Sequence, residues 1–404
     1  MTRLTTTSVA ILVALGLTAC ATAPQSTSSQ PEQTSPVAAV TADQAFTSLA
    51  DQIWEQMQAQ GRATGSDSLP DMSPEAVASR AAAQETWLAQ LHQVDVEQLS
   101  RANQINWRML TYRLQNNVDG FRFKEHYQPL NAEGGFHSNL GFMVRNSSLR
   151  SVEDYQNYLS RLASIPRYME QQTAWQRLGL AEGYTQPKAS MVGFEDSITA
   201  FIAQRPEESL FYDPFQERPN FITETQWSEL QAKARQIIDQ QVIPAYQNYF
   251  NFMVMEYLPN SRDSIGASEL PNGRAYYQNR IRHFTTLDLS PEVIHERGLA
   301  EVKRIRAEMD KVIADTGFDG SFAEFVEFLR TDPQFYPETA EELLKEAAFI
   351  AKKADGVLPQ FFITLPRQPY GIAPVPAEIA PKYTTGRYAG TSRDDRASFY
   401  WVNT

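Results

Sequence analysis

Residues 242–309 read VIPAYQNYFNFMVMEYLPNSRDSIGASELPNGRAYYQNRIRHFTTLDLSPEVIHERGLAEVKRIRAEM. Tyr246, Tyr249, Phe250, Met253 and Tyr257 recur at spacings of three and four, the period of one helix face, so the first part predicts a buried helix. Pro259 predicts its end. A charged, glycine-containing loop then runs to Pro271-Asn272-Gly273, a turn signal, and a second helix is predicted over 274–283. Ser290-Pro291-Glu292 opens a third helix. Serine offers a capping oxygen, proline stands where an N–H has no helical partner, and the acid sits at the positive end of the helix dipole. Helix, loop, helix, loop, helix makes the fold mainly α.

Working outward, Phe46, Leu49, Ile53, Trp54 and Met57 form an apolar stripe that predicts a core-facing helix. Further helices are predicted over 73–91, 96–117, 151–178 and 182–204. Residues 223–257 read as one long helix kinked or broken near Pro244. Residues 124–146, with Gly134, Gly135, Phe136, Phe142 and Met143 but no period, read as an ordered loop packed by its aromatics, and 207–220 as a proline-punctuated connector. Shorter helices are expected over 321–329 and 338–357. Residues 361–365 and 397–404 are β-type runs among proline- and glycine-containing turns, so a small sheet is expected near the C-terminal end of a multi-helix, bundle-like domain spanning 43–404.

At the other end, residues 1–19 hold one basic residue, Arg3, and an apolar run from Val9 to Leu17 that is too short to span a bilayer and suits a signal peptide. Leu17-Thr18-Ala19-Cys20 matches a bacterial lipobox, which makes Cys20 the lipidation site; the alternative is an ordinary secretory peptide with a chance cysteine. By similarity to other lipoproteins, Ala21 after the cysteine implies the outer membrane, with the folded part facing the periplasm. Residues 20–42, rich in Ser, Thr, Pro and Gln, read as a flexible tether, and the membrane is reached through acyl chains rather than a span. Cys20 is the only cysteine among 404 residues, so the fold must rest on its core; 42% hydrophobic and 11% aromatic residues are ample for that. A net charge of −12 argues against nucleic acid and against polybasic attachment to anionic lipid.

The runs PAYQNYF, YLPNSRDSIGASELPNG and TTLDLSPEVIHERGLAEVKRIRAEM, with LPDMSPEAVASR at 69–80, YLSRLASIPRYMEQQ at 158–172 and the terminal FYWVNT, resemble the bacterial domain-of-unknown-function 885 family over roughly Phe46 to Thr404. The resemblance implies a zincin-like, gluzincin-type fold and a zinc metallopeptidase acting on peptides or isopeptide-like amides. In that family an HExxGH-type helix and a later glutamate in an EGWA-type segment follow the FYVNT-like strand. Neither motif occurs here, so the expectation is an incomplete peptidase domain, truncated before its metal motif and inactive alone. Zinc is expected in the full-length form only, and no catalytic or metal-binding residue is assigned to this chain. The competing reading is a helical lipoprotein that binds peptides or envelope partners without chemistry.

The sequence holds five histidines, His92, His126, His137, His283 and His295. His295-Glu296 begins like HExxH, but the second imidazole must come four residues on, one turn along the same face, and that position is Leu299. His295 borders the stripe of Ile294, Val302, Ile305 and Met309 and reads as a semi-buried structural residue. His126 and His137 share a segment with Glu125 and Glu133, so a carboxylate–histidine site stays open there; His92 reads as solvent-facing and His283 as pocket-lining. No GxSxG elbow or Gly-rich phosphate loop is present, and adjacent acids such as Asp394-Asp395 read as solvated.

The sharpest candidates lie at the C-terminal run. If Tyr400, Trp401, Val402 and Asn403 form an edge strand, its free N–H and C=O groups accept an extended peptide, with Asn403 as a clamp. Arg387 and Arg393 then pair with a substrate carboxylate. Tyr277 and His283 are the further candidates for the peptide site; the alternatives are an ordinary core strand with solvated arginines, and Tyr276 and Tyr277 as core residues.

Overall fold

The computed structural model describes residues 41–61, 67–390 and 397–404. The signal peptide, Cys20, residues 20–40 of the tether and Arg393 lie outside the described residues. Ala42–Thr404 form one unit, whose first helix, Ala42–Gly61, already includes Ala42.

The stretch read first is the spine of this unit. Glu224–Ile237 is α-helical, Ile238–Val242 widens into a π-turn, Ile243–Phe252 returns to α, Met253–Tyr257 widens again and Leu258–Asn260 completes the rod. Each π-segment ends two residues before a proline, Pro244 and Pro259. A proline has no N–H for the carbonyl four residues back, and its ring presses on that carbonyl. A widened turn with i→i+5 bonding accommodates both. The predicted break near Pro244 is therefore a π-turn inside a continuous rod, and Pro259 does not end the helix; the chain leaves it at Ser261, where ψ is 155°.

Tyr246, Tyr249, Met253 and Tyr257 are buried as predicted, whereas Phe250 is half-buried at the edge of the core. They pack against Tyr155, Tyr158 and Leu162 of the Val152–Ala163 helix and Met169 of Ile165–Glu182, together with Phe194, Phe201, Phe211 and Phe215 from the intervening loops. Each such side chain contributes about 1.5–3 kcal/mol by burial. Three of these tyrosines are buried with their hydroxyls used: Tyr158 donates to the Phe211 carbonyl at 3.0 Å, Tyr246 to the His137 carbonyl at 2.7 Å, and Tyr257 accepts from Gln186 N at 3.1 Å, whereas the Tyr249 hydroxyl has no partner among the described residues.

Helix starts follow the sequence closely. Ser73, Ser100, Ser151, Thr223, Ser290, Ser321 and Thr339 each accept the amide three residues on, which replaces an N–H partner that the helix itself cannot supply. Ser100 splits the predicted 96–117 helix into a 3-10 turn, Val96–Gln98, and the Arg101–Arg122 helix. The 151–178 helix is likewise two, broken at Ser164 before Pro166. The 182–204 helix is not formed. Gly183 (φ 82°) and Gly193 (φ 68°) take left-handed conformations and Pro187 lies between them, leaving short turns around Lys188–Ser190 and Asp196–Thr199. The 207–220 connector is short 3-10 turns that place Phe211, Tyr212 and Phe215 in the core.

The Ala42–Gly61, Pro74–Leu91 and Arg101–Arg122 helices enclose a second core of Phe46, Ile53, Trp87, Leu91 and Leu114. Trp54 does not join it; it is 48% exposed, with the Arg113 guanidinium 5.6 Å from its ring. Further on, Gly273–Thr285, Pro291–Asp315, Phe322–Thr331 and Ala340–Phe361 are helices as expected, the last reaching past Val357. The predicted 361–365 strand is absent: Phe361 ends a helix, and Phe362, Ile363 and Leu365 are exposed. The sheet instead joins Tyr370–Pro374, Gly386–Ala389 and Ser398–Val402.

Candidate functional site

The C-terminal sheet has Ser398–Val402 in its centre, parallel to Tyr370–Pro374 on one side and antiparallel to Gly386–Ala389 on the other. The strand read as a possible edge is therefore an interior one. Its main-chain groups are spent on two neighbours, so an added peptide strand cannot pair with it. Gly386 permits the close pairing, since a Cβ there would lie 2.7 Å from the Trp401 carbonyl oxygen.

Alternation sorts the predicted residues by face. Phe399 and Trp401 share one face with their cross-strand partners Ala389 and Arg387; Tyr400 and Val402 share the other with Tyr388 and Gly386. The first face forms a cleft of about 280 Å³ with Phe142 and Arg145 of the short Gly141–Asn146 helix and with Tyr383. Trp401 stacks on Phe142, ring centroids 5.8 Å apart and planes 10° from parallel, and Tyr383 meets Trp401 edge-on at 6.0 Å. Two guanidinium groups, of Arg145 and Arg387, enter this aromatic cleft, and among the described residues no carboxylate lines it. Arg387 grips Glu133 through two parallel bonds of 2.9 and 2.7 Å and lies 5.4 Å from the Tyr383 ring centre. Its charge is held more firmly by the hydrogen bond to Glu133. Arg145 bonds Glu378 at 2.5 Å.

Arg387, read from the sequence as a loop residue, instead sits on a strand directly opposite Trp401, while Tyr400 and Val402 turn away from the cleft. Asn403 is no substrate clamp here: its side-chain amide donates to the Ala380 carbonyl at 3.0 Å and the Tyr383 carbonyl at 3.3 Å, which fixes the loop that carries Tyr383. Phe142, Arg145 and Tyr383 were missed. The one sequence signal for the first two was an aromatic, glycine-containing segment without a helical period, which points to ordered packing but not to its partner.

Tyr277 and His283 belong to a separate place. His283 stacks on Tyr112 at 6.2 Å and meets Phe284 edge-on, and the Tyr112 hydroxyl donates to the His283 carbonyl. Tyr277 is half-exposed on the same helix. Around them runs a polar chain in which Asn279 donates to buried Asp119 at 2.8 Å, and Arg280 pairs with Glu125 at 2.6 Å.

The remaining histidines do not assemble. His126 stacks on Phe121 and meets Tyr127 and Trp175 edge-on; burial first, then the charge of Lys124, lowers its pKa to about 4. His137 is fully buried, and burial lowers its pKa to about 3. Ser197 donates its one proton to the Phe194 carbonyl at 2.7 Å, so the 3.0 Å contact to His137 Nε2 makes that nitrogen the donor and leaves Nδ1 bare. Glu125 sits with Arg280 and Glu133 with Arg387, so the two acids and two histidines of this segment form no common site. His295 is exposed rather than semi-buried, as is His92. Among the described residues no three of His, Cys, Asp and Glu gather to hold a metal ion. The donors of the described residues do not fit a zinc ion.

Residues 55–404 match the family described as bacterial protein of unknown function, DUF885. A crystal structure of a candidate lipoprotein from Colwellia psychrerythraea is similar in fold, with a TM-score of 0.79 and 20% identity, over 90% of this chain and 68% of that one. Comparison with curated proteins gave no match. With a family match that spans most of its length, the chain belongs to the DUF885 family.

Proposed function

We propose that this chain is an envelope lipoprotein that holds a peptide in the Phe142–Trp401 cleft, engaging an acidic group with Arg387 and Arg145 and a flat or bulky apolar group with the stacked rings. The observation that carries this reading is two guanidinium groups in an aromatic cleft with no lining carboxylate among the described residues. Both already bind carboxylates of the chain itself, the chemistry a ligand carboxylate would repeat. The lipobox ending at Cys20 and the lipoprotein description of the similar structure support the envelope location, with acyl anchoring to the outer membrane and the fold in the periplasm. In this reading, zinc-dependent hydrolysis of peptide or isopeptide-like amides, which the family resemblance implies, takes its ligands from outside the described residues. The described part binds without cleaving.

Calorimetric titration of the chain with a short peptide containing phenylalanine and glutamate, against the same peptide with lysine for glutamate, tests the proposal. The acidic peptide should bind, and Arg387→Ala or Trp401→Ala should weaken it about tenfold, since a charge-assisted bond or aromatic contact contributes about 1–2 kcal/mol. A chelator should leave this affinity unchanged. Equal affinity for the lysine peptide would overturn the assignment. Chelator-sensitive peptide cleavage would instead favour the hydrolase over simple binding.

A further inference from the structure

A second recess lies between the Ile165–Glu182 helix and the Ile238–Phe252 part of the spine, away from the sheet cleft, with a volume of about 680 Å³. That is the size of a small-molecule site rather than a packing defect. Its floor is apolar, with Met169, Ala245 and Phe252 buried beneath it. Its rim carries Glu170 on one helix and Gln240, Gln241 and Asn248 on the other. Gln240 and Gln241 belong to the first π-turn, which accommodates the missing N–H of Pro244, and Pro244 itself lines the groove.

The charges decide the ligand class. Arg177, a lining residue, is engaged by Glu256 through two bonds of 2.8 Å, and Arg167 by the Leu69 carbonyl at 2.7 Å and Asp71 at 3.6 Å. Among the described residues Glu170 has no cation within ion-pair distance, so an anion would meet an unneutralised acid. What remains is three carboxamides and a carboxylate; the amides of Gln241 and Asn248 make no hydrogen bond among the described residues. Carboxamides both donate and accept, as hydroxyl groups do, and an apolar floor suits the C–H face of a pyranose ring. We infer that this groove binds a neutral oligosaccharide, with Gln241 and Asn248 as its main polar contacts.

Ligand-observed NMR and calorimetry on the full chain with chitotriose, maltotriose and cellotriose, with inorganic phosphate as the anionic control, test it. At least one trisaccharide should bind saturably. Gln241→Ala and Asn248→Ala should each weaken it about fivefold, the equivalent of one lost hydrogen bond, with the circular dichroism spectrum unchanged. Trp401→Ala, in the other cleft, should leave sugar binding intact. Binding by none of the three sugars, binding of phosphate alone, or sugar binding unaffected by both substitutions overturns the inference.

Discussion

Glu133 is the residue on which access to the sheet cleft turns, because a ligand carboxylate must take Arg387 from it. Both partners are about half exposed, so the pair contributes little to stability. Glu133→Gln should therefore raise affinity for the acidic peptide severalfold while shifting the melting temperature only slightly, as calorimetry and thermal melts would show. Buried histidine gives the opposite balance, all stability and no access. His137 is neutral in the fold, its pKa near 3, whereas an unfolded histidine titrates near 6.5. The unfolded chain then binds the extra proton between these values. Its contribution is complete above about 6.5 and is lost as pH falls towards 3, with a slope approaching about 1.4 kcal/mol per pH unit. His126, depressed to about 4, adds a smaller share. Melts at pH 7 and pH 5 should differ more in the native protein than in His137→Asn; equal differences would remove His137 as the cause. Of these residues Trp401 was legible as part of a β-type run, and Arg387 only as a cation in what read as the loop before it; their cross-strand pairing was not. The partner Glu133 was not, because the contact spans 254 positions of sequence.

Among the elements, the Gly273–Thr285 helix shows how far local chemistry reaches. The Pro271-Asn272-Gly273 signal is real: Asn272 is left-handed (φ 57°), and a Cβ at Gly273 would lie 2.3 Å from the Ala267 carbonyl oxygen. Gly273→Ala should cost about 1–3 kcal/mol or more in denaturant unfolding, because that obstacle is backbone. The other end is less well fitted, since Thr286 closes the helix with φ 60°, a conformation poor for a β-branched residue. Thr286→Gly should stabilise by roughly 0.5–1 kcal/mol, read by the same unfolding curve. Caps and prolines could be read directly, since each acts within one turn. The π-turns before Pro244 and Pro259 could not. A proline in a helical pattern permits a stop, a kink or a widened turn, and packing on both sides of the rod selects the last.

Across the whole unit, the largest departure from expectation is the apolar surface of its later helices. Leu299, Val302, Ile305, Met309 and Val312 recur along Pro291–Asp315 with the period of a core stripe, yet Val302 is 67% exposed, and Phe349 and Ile350 of Ala340–Phe361 are exposed as well. Exposed stripes of this kind bind hydrophobic dye and associate. Purified chain should show concentration-dependent association by light scattering and bind anilinonaphthalene sulfonate, and Val302→Asp with Met309→Asp should reduce both; a monomer without dye binding would contradict the stripe's exposure in solution. The sequence by itself determined the mainly helical character, the Ser and Thr helix starts, the buried tyrosine face of the spine and the family, because period, capping and turn chemistry are encoded within a few residues. Only the tertiary structure decided that Ser398–Val402 is an interior strand, that 361–365 is no strand, that Arg387 finds Glu133 and Trp401 finds Phe142, and that the stripe of Pro291–Asp315 faces outward. Those outcomes depend on which distant segment arrives alongside, and periodicity states that a face is apolar without stating what covers it.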